Sequence, residues 1–185
     1  MNPKILIVGS TGKLGIKLLN FCKKNNVNIF CITCYKNIKL LKAQSKKYNI
    51  KNFFKLSHVS ESIKFKLFLE KNKINIIYFL DYGYKSILYA NIFLKHNKQS
   101  LIAIANKEMI IAGGQTLIDK ILSSNNKLIP LDSEHFSLSN INFKNDNIKK
   151  IYITASGGPF YFKKNINFEK VSLDNVLAHP KWKMG

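Results

Sequence analysis

The chain has no arginine, a single tryptophan, four prolines and only ten acidic residues among its 185. All 30 basic residues are therefore lysines, and the formal net charge is +20. Such a charge invites a nucleic-acid reading, but the missing arginine argues against it. Proteins that read phosphates and base edges rely on the bidentate guanidinium. The lysines are dispersed rather than gathered in one tract, and their company of abundant Asn and Ile fits AT-biased coding. A solvated basic surface follows, with no specific nucleic-acid partner. No apolar run reaches the length of a membrane span, and the amino terminus enters an apolar run with no charged leader before it, so neither a membrane segment nor a targeting peptide is expected. Cysteines are scarce too: Cys22, Cys31 and Cys34. Cys31 and Cys34 have redox spacing, but they fall in a strand-like run whose alternation puts them on opposite faces. A reducing, cytoplasmic setting is the expectation.

What is present is an alternation of short apolar runs with stretches of helical spacing. Residues 4–8, 27–34, 52–56, 74–80, 100–105, 127–131 and 148–155 read as strands. Residues 12–24, 37–47, 60–71, 85–95, 115–123 and 133–140 read as helices, the third capped by Ser60 or Ser62, and 140–147 as a polar loop. This order predicts an α/β fold with a Rossmann-like, mostly parallel sheet and helices on both faces.

Between the first strand and helix stands Gly9-Ser10-Thr11-Gly12-Lys13-Leu14-Gly15. Glycines there permit a tight turn and let backbone N–H groups approach a pyrophosphate. The second strand ends in Cys34-Tyr35-Lys36-Asn37, with no acid to repel a 2′-phosphate and a base to attract one, which points to NADP rather than NAD. Further on, Leu131-Asp132-Ser133-Glu134-His135 places two carboxylates two residues apart. In an extended stretch Asp132 and Glu134 would point the same way and offer hard oxygen ligands to one divalent cation. In the plainer alternative the segment is a strand-to-helix turn capped by Ser133 or Asp132.

Read in order, the glycine turn, Ala105-Asn106-Lys107-Glu108, Pro130-Leu131-Asp132-Ser133-Glu134-His135, Thr154-Ala155-Ser156-Gly157-Gly158-Pro159-Phe160 and Ala178-His179-Pro180-Lys181-Trp182-Lys183-Met184-Gly185 resemble the 1-deoxy-D-xylulose 5-phosphate reductoisomerase family. The resemblance implies an NADPH-dependent oxidoreductase and isomerase of the non-mevalonate isoprenoid pathway. Such an enzyme rearranges and reduces 1-deoxy-D-xylulose 5-phosphate to 2-C-methyl-D-erythritol 4-phosphate with a divalent cation, manganese, magnesium or cobalt. It implies that residues 1–131 form the NADPH-binding domain and 132–185 the incomplete start of an α+β catalytic domain. Gly9, Thr11, Gly12, Lys13 and Leu14 would lie against the dinucleotide, and Tyr35, Lys36 and Asn37 would meet its adenosine side. Asn106, Glu108 and Gly185 would also contact NADPH. Asp132 and Glu134 would hold the metal. Lys107, Ser133, Glu134, Ser156, His179 and Trp182 would hold the sugar phosphate, with Lys107 and Glu134 catalytic. Trp182 and Met184 resemble a mobile flap, and the full-length family implies a homodimer.

The resemblance has gaps. The family's phosphate-binding residues and third metal ligand lie beyond Gly185, so no useful turnover is expected from these residues alone. The turn after the fourth strand reads Leu80-Asp81-Tyr82-Gly83-Tyr84-Lys85 where the family has small residues, and Tyr35 is also bulky. These side chains would narrow the cofactor cleft. Two other readings remain: a degenerate NADP-binding domain without catalysis, and a basic nucleic-acid-binding module on a relic Rossmann scaffold.

Overall fold

Ile5–Val8 (β1) is excluded from water on both faces, as a near-continuous apolar run at the centre of a parallel sheet should be. In this computed structural model, which describes residues 3–144, 147–154 and 157–180, it is flanked by Cys31–Cys34 (β2) and Ile76–Phe79 (β4). Asn52–Lys55 (β3), Leu101–Ile104 (β5) and Lys127–Pro130 (β6) complete a six-stranded sheet in the order β3-β2-β1-β4-β5-β6. Every pairing is parallel. The expected sheet is therefore present and wholly parallel. Its order reverses direction between β1 and β4, and open sheets of this kind bind ligands beyond the strand ends at such a point.

Alternation along the strands divides the core in two. Leu6, Val8, Cys31, Ile77 and Phe79 face one layer, built with Val59–Lys71 (α3), Ser86–His96 (α4) and Lys107–Ser123 (α5). Ile7, Ile32 and Cys34 face the other, under Lys13–Lys24 (α1) and Ile38–Lys47 (α2). Cys31 and Cys34 thus lie on opposite faces, as their spacing implied, and cannot act as a pair. Burial raises both thiols, Cys34 to about 11 and Cys31 well above its ordinary value. The first layer holds an aromatic cluster in which Phe54, Phe68 and Tyr89 have ring centroids 5.4, 6.5 and 5.1 Å from that of Phe65.

Several expected boundaries shift. The second strand begins at Cys31 rather than Val27, because Asn26 takes φ 54° in the turn after α1 and Val27 N–H donates back to Cys22. Neither Ser60 nor Ser62 caps α3: His58 occupies the cap position, and the Ser62 hydroxyl instead meets that of Tyr89 at 2.9 Å. The fifth helix starts at Lys107, eight residues before the expected Gln115, with Asn106 as its cap and a break at Gly114 (φ 53°, ψ −155°). The described part of the expected strand 148–155 is irregular, and Ala155 lies outside the described residues.

The chain forms two compact units, residues 1–141 and 142–185. The first carries the sheet and ends after Ser133–Ser139 (α6), so the carboxylate-bearing turn is packed with β6. The second contains a 3₁₀ turn at Phe168–Lys170 and Leu173–Leu177 (α7), the latter opened by a Ser172/Asn175 capping box. None of its described residues is buried; a unit this short encloses little apolar surface by itself. No helix among the described residues is long and apolar enough to cross a membrane.

Phe65 is fully buried at the centre of the aromatic cluster. Phe65→Ala is expected to destabilise the first unit by about 3–5 kcal/mol, read as a lowered urea midpoint. A change below about 1 kcal/mol would show that the cluster does not organise this core.

Candidate functional site

The C-terminal ends of five parallel strands bring the candidate residues to one edge. At the first, Gly9 turns with φ +87°, and a Cβ there would sit 2.6 Å from the backbone nitrogen of Asp81. Gly9 and Ser10 N–H groups donate to Thr33 O at 3.2 and 2.9 Å, tying the turn to β2. A Cβ on Gly15 would stand 2.5 Å from Ser10 Cα and O, so glycine is what lets α1 lie this close to the strand end. Gly12 occupies the cap position of α1 and supplies no side chain to it. The first-turn N–H groups of α1 and its positive dipole end are therefore left for an anion. Lys13 and half-exposed Leu14 lie in that turn, with Thr11 partly buried beside it.

The turn is locked from below by a pair that the sequence did not reveal. Ser10 Oγ donates to Gln44 Oε1 at 2.8 Å, and Gln44 Nε2 donates to Ser10 O at 2.9 Å, both buried. Gln44 lies 34 residues away in α2, at a spacing that carries no signal. At the end of β2, Tyr35 and Lys36 are exposed, while the Asn37 side chain accepts from Leu40 N–H at 3.1 Å and caps α2.

A second polar hub joins the ends of β4 and β5. Asp81 accepts from the Ser86 hydroxyl and from Asn106 Nδ2, the latter at 3.3 Å. Asn106 Nδ2 also donates to Gly83 O at 2.9 Å, and Asn106 Oδ1 caps α5 by accepting from Met109 N–H. Burial raises the Asp81 carboxyl, while the bonds from Ser86 and Asn106 oppose that shift. The acid in this turn thus serves an internal network, while Tyr82 and Tyr84, 74% and 66% exposed, line a cavity at the strand ends together with Tyr35. Asn106 is itself buried and fully engaged; its neighbour Glu108 is exposed on the first turn of α5.

The third cluster lies beyond β5 and β6. Lys107 Nζ donates to Glu134 Oε2 at 2.7 Å and stands 4.0 Å from Asp132 Oδ1. Ser133 Oγ donates to Glu134 Oε2 at 3.0 Å. The extended geometry expected for Asp132 and Glu134 does not occur: α6 begins at Ser133, and Asp132 is its cap, accepting from His135 N–H at 3.0 Å and meeting His135 Nδ1 at 2.8 Å. The two carboxylates still converge, because the helix start turns both toward Lys107, whose ammonium marks a point of negative potential. Their hard oxygens fit a divalent cation as two of its ligands; among the described residues no group of three or more His, Cys, Asp or Glu is arranged to hold one. Hydrogen bonding from Lys107 holds the Glu134 carboxyl down at about 2, and the same contact raises Lys107.

His179 is half-buried in the second unit. Ser156, Trp182 and Gly185 lie outside the described residues, as does Met184.

Residues 128–185 match the model of the 1-deoxy-D-xylulose 5-phosphate reductoisomerase C-terminal domain. Over 98% of its length the chain is 36% identical to the 1-deoxy-D-xylulose 5-phosphate reductoisomerase of Pelagibacter ubique. The chain corresponds to the N-terminal portion of this reductoisomerase family. It spans about half the length of the curated relatives it matches, 52% of the Pelagibacter protein. The fold agrees. A reductoisomerase solved in complex with NADPH, fosmidomycin and magnesium superposes with a TM-score of 0.75 at 20% identity, covering 99% of this chain and 52% of that one. The Zymomonas mobilis reductoisomerase in complex with NADPH gives 0.70 at 23% identity, covering 87% of this chain and 48% of that one.

Glu134 has a folded-state value below its ordinary 4.5. Its contact with Lys107 is therefore complete above pH 4.5 and is lost as pH falls through about 2. In Lys107→Met the Glu134 carboxyl is expected to titrate higher, toward but still below 4.5, because its own backbone and Ser133 continue to hold it down, measured by carbon-13 NMR. An unchanged midpoint would mean that Lys107 does not hold it.

Proposed function

We propose that the chain forms the NADPH-binding and metal-carboxylate half of a 1-deoxy-D-xylulose 5-phosphate reductoisomerase. The observation that carries this reading is the placement of the uncapped glycine turn and the Lys107–Glu134–Asp132 cluster on the same sheet edge. Residues 1–131 act as the dinucleotide domain and 132–185 open the catalytic one. Gly9, Thr11, Gly12, Lys13 and Leu14 receive the pyrophosphate at the α1 dipole. Tyr35, Lys36 and Asn37 stand on the adenosine side. Asn106 shapes the cleft through its cap and its bonds to Asp81 and Gly83, and Glu108 stands beside it on the cofactor side.

When bound, NADPH would supply a hydride and a divalent cation would polarise the substrate's oxygens. Asp132 and Glu134 would hold that cation, and the depressed carboxyl of Glu134 keeps it an ionised ligand at neutral pH. Lys107 stays protonated beside these carboxylates and places positive charge where negative charge develops on the sugar oxygens. Ser133, Ser156 and His179 would hold the sugar phosphate. Trp182 would exclude water over it, and Gly185 would lie toward the nicotinamide. The full-length enzyme is read as a cytoplasmic homodimer.

The reading is tested by direct binding. The chain is expected to bind NADPH by fluorescence titration, and Leu14→Asp, which sets a carboxylate at the α1 dipole end, is expected to weaken it about tenfold. Lys24→Asp at the far end of that helix should leave it unchanged. No NADPH binding, or equal loss in both variants, would sink the reading. Separately, manganese binding followed by electron paramagnetic resonance should fall in Asp132→Asn and Glu134→Gln; retention in both would remove the carboxylates from the metal's ligands.

A further inference from the structure

A cavity of about 940 Å³ opens where the ends of β1 and β2 meet the β3–α3 and β4–α4 connections. It is within the size range of small-molecule sites. Gly9 and Tyr35 line it from the sheet, Ser57 from the β3–α3 connection, Val59 from the start of α3, and Lys66 and Lys85 contribute its cations. Lys36, the base that the sequence offers to a 2′-phosphate, is exposed and does not line this cavity.

Lys85 is placed differently. Its Nζ donates to Tyr35 Oη at 3.2 Å and lies 5.3 Å from the centre of the Tyr35 ring. Tyr35 is the first residue after β2, the position from which dinucleotide-binding sheets read the 2′ substituent of the adenosine ribose. The ammonium therefore reaches that position from the far side of β1, carried 50 residues along the chain. Its root is firm: Lys85 holds the cap position of α4 in αR conformation, and the next residue, Ser86, is buried and bonded to Asp81. The bond to Tyr35 raises Lys85, so its charge is secure at neutral pH.

We propose that Lys85, steadied on Tyr35, is the residue by which this chain selects a 2′-phosphorylated dinucleotide over its unphosphorylated counterpart. This rests on the reading of the unit as a dinucleotide-binding domain and assigns the selectivity to a side chain outside the β2 turn. A lysine ammonium can exchange the tyrosine hydroxyl for phosphate oxygens without moving its backbone, since its stem is long and flexible. The part-buried hub of Asp81, Ser86 and Asn106 serves this by fixing the connection from which Lys85 projects.

The test is isothermal titration of NADPH and NADH into the protein, Lys85→Gln, Tyr35→Phe and Lys36→Gln. Both lysines are exposed, and circular dichroism checks the folding of each variant. Lys85→Gln is expected to weaken NADPH by about tenfold or more while NADH stays within about twofold. Tyr35→Phe should cause a smaller loss in the same direction, and Lys36→Gln should cost several-fold less NADPH affinity than Lys85→Gln. A larger loss of preference in Lys36→Gln would overturn the proposal, as would equal weakening of both dinucleotides in Lys85→Gln. Equal affinity of the unaltered protein for the two dinucleotides would overturn the selectivity and leave the dinucleotide reading standing. Binding of neither would overturn both.

Discussion

The structure depends on the exclusion of β1 from water on both faces. Ile5, Leu6, Ile7 and Val8 are all buried, and alternation sends Leu6 and Val8 into one core and Ile7 into the other. A strand held this way cannot slip by one residue without exchanging the two cores. Its end is fixed with it, and so is the turn at Gly9. That turn lies against β2 through Thr33 and against the β4 connection through Asp81. The glycine turn, with the open start of α1 behind it, is thus a consequence of where the most buried strand stops.

The polar groups at the sheet edge sort by depth. Ser10 and Gln44 form a buried pair and Asp81, Ser86 and Asn106 a part-buried trio, whose members satisfy one another and fix loops. Every buried side-chain nitrogen and oxygen among the described residues has a partner, as the cost of an orphaned polar atom requires. Lys107, Glu134 and Lys85 are exposed and flexible in reach, and their contacts are ones that a ligand can replace. Structural polarity lies inside and chemical polarity outside, on the same five strand ends.

The excess of positive charge has a local exception. Against a net +20, two of the chain's few acids are gathered on one helix start. A lysine there is drawn to Glu134 at 2.7 Å. In a chain this basic, a converging carboxylate pair is the feature that general electrostatics does not provide, and the fold has to build it.

The sequence by itself determined the alternation of strands and helices, the parallel sheet, the glycine turn, the opposed cysteines and the motifs that tie the chain to its family. These are local: a period of 2 or 3.6, a glycine at a turn, a run of unusual residue types. Boundaries were less legible where a neighbouring chain decided them. The helix from Lys107 is broken at Gly114, so its first part has too few turns to show a period, and Asn106 as its cap was not apparent. The convergence of Asp132 and Glu134 was anticipated for the wrong geometry, since a helix start and an extended stretch can both bring such a pair to one ligand. Only the tertiary structure decided the remainder. Ser10 finds Gln44, Asp81 finds Asn106, and Lys85 finds Tyr35 across 34, 25 and 50 residues. Those meetings follow from strand order, and strand order is set by how the helices cover the two faces, which no local spacing records.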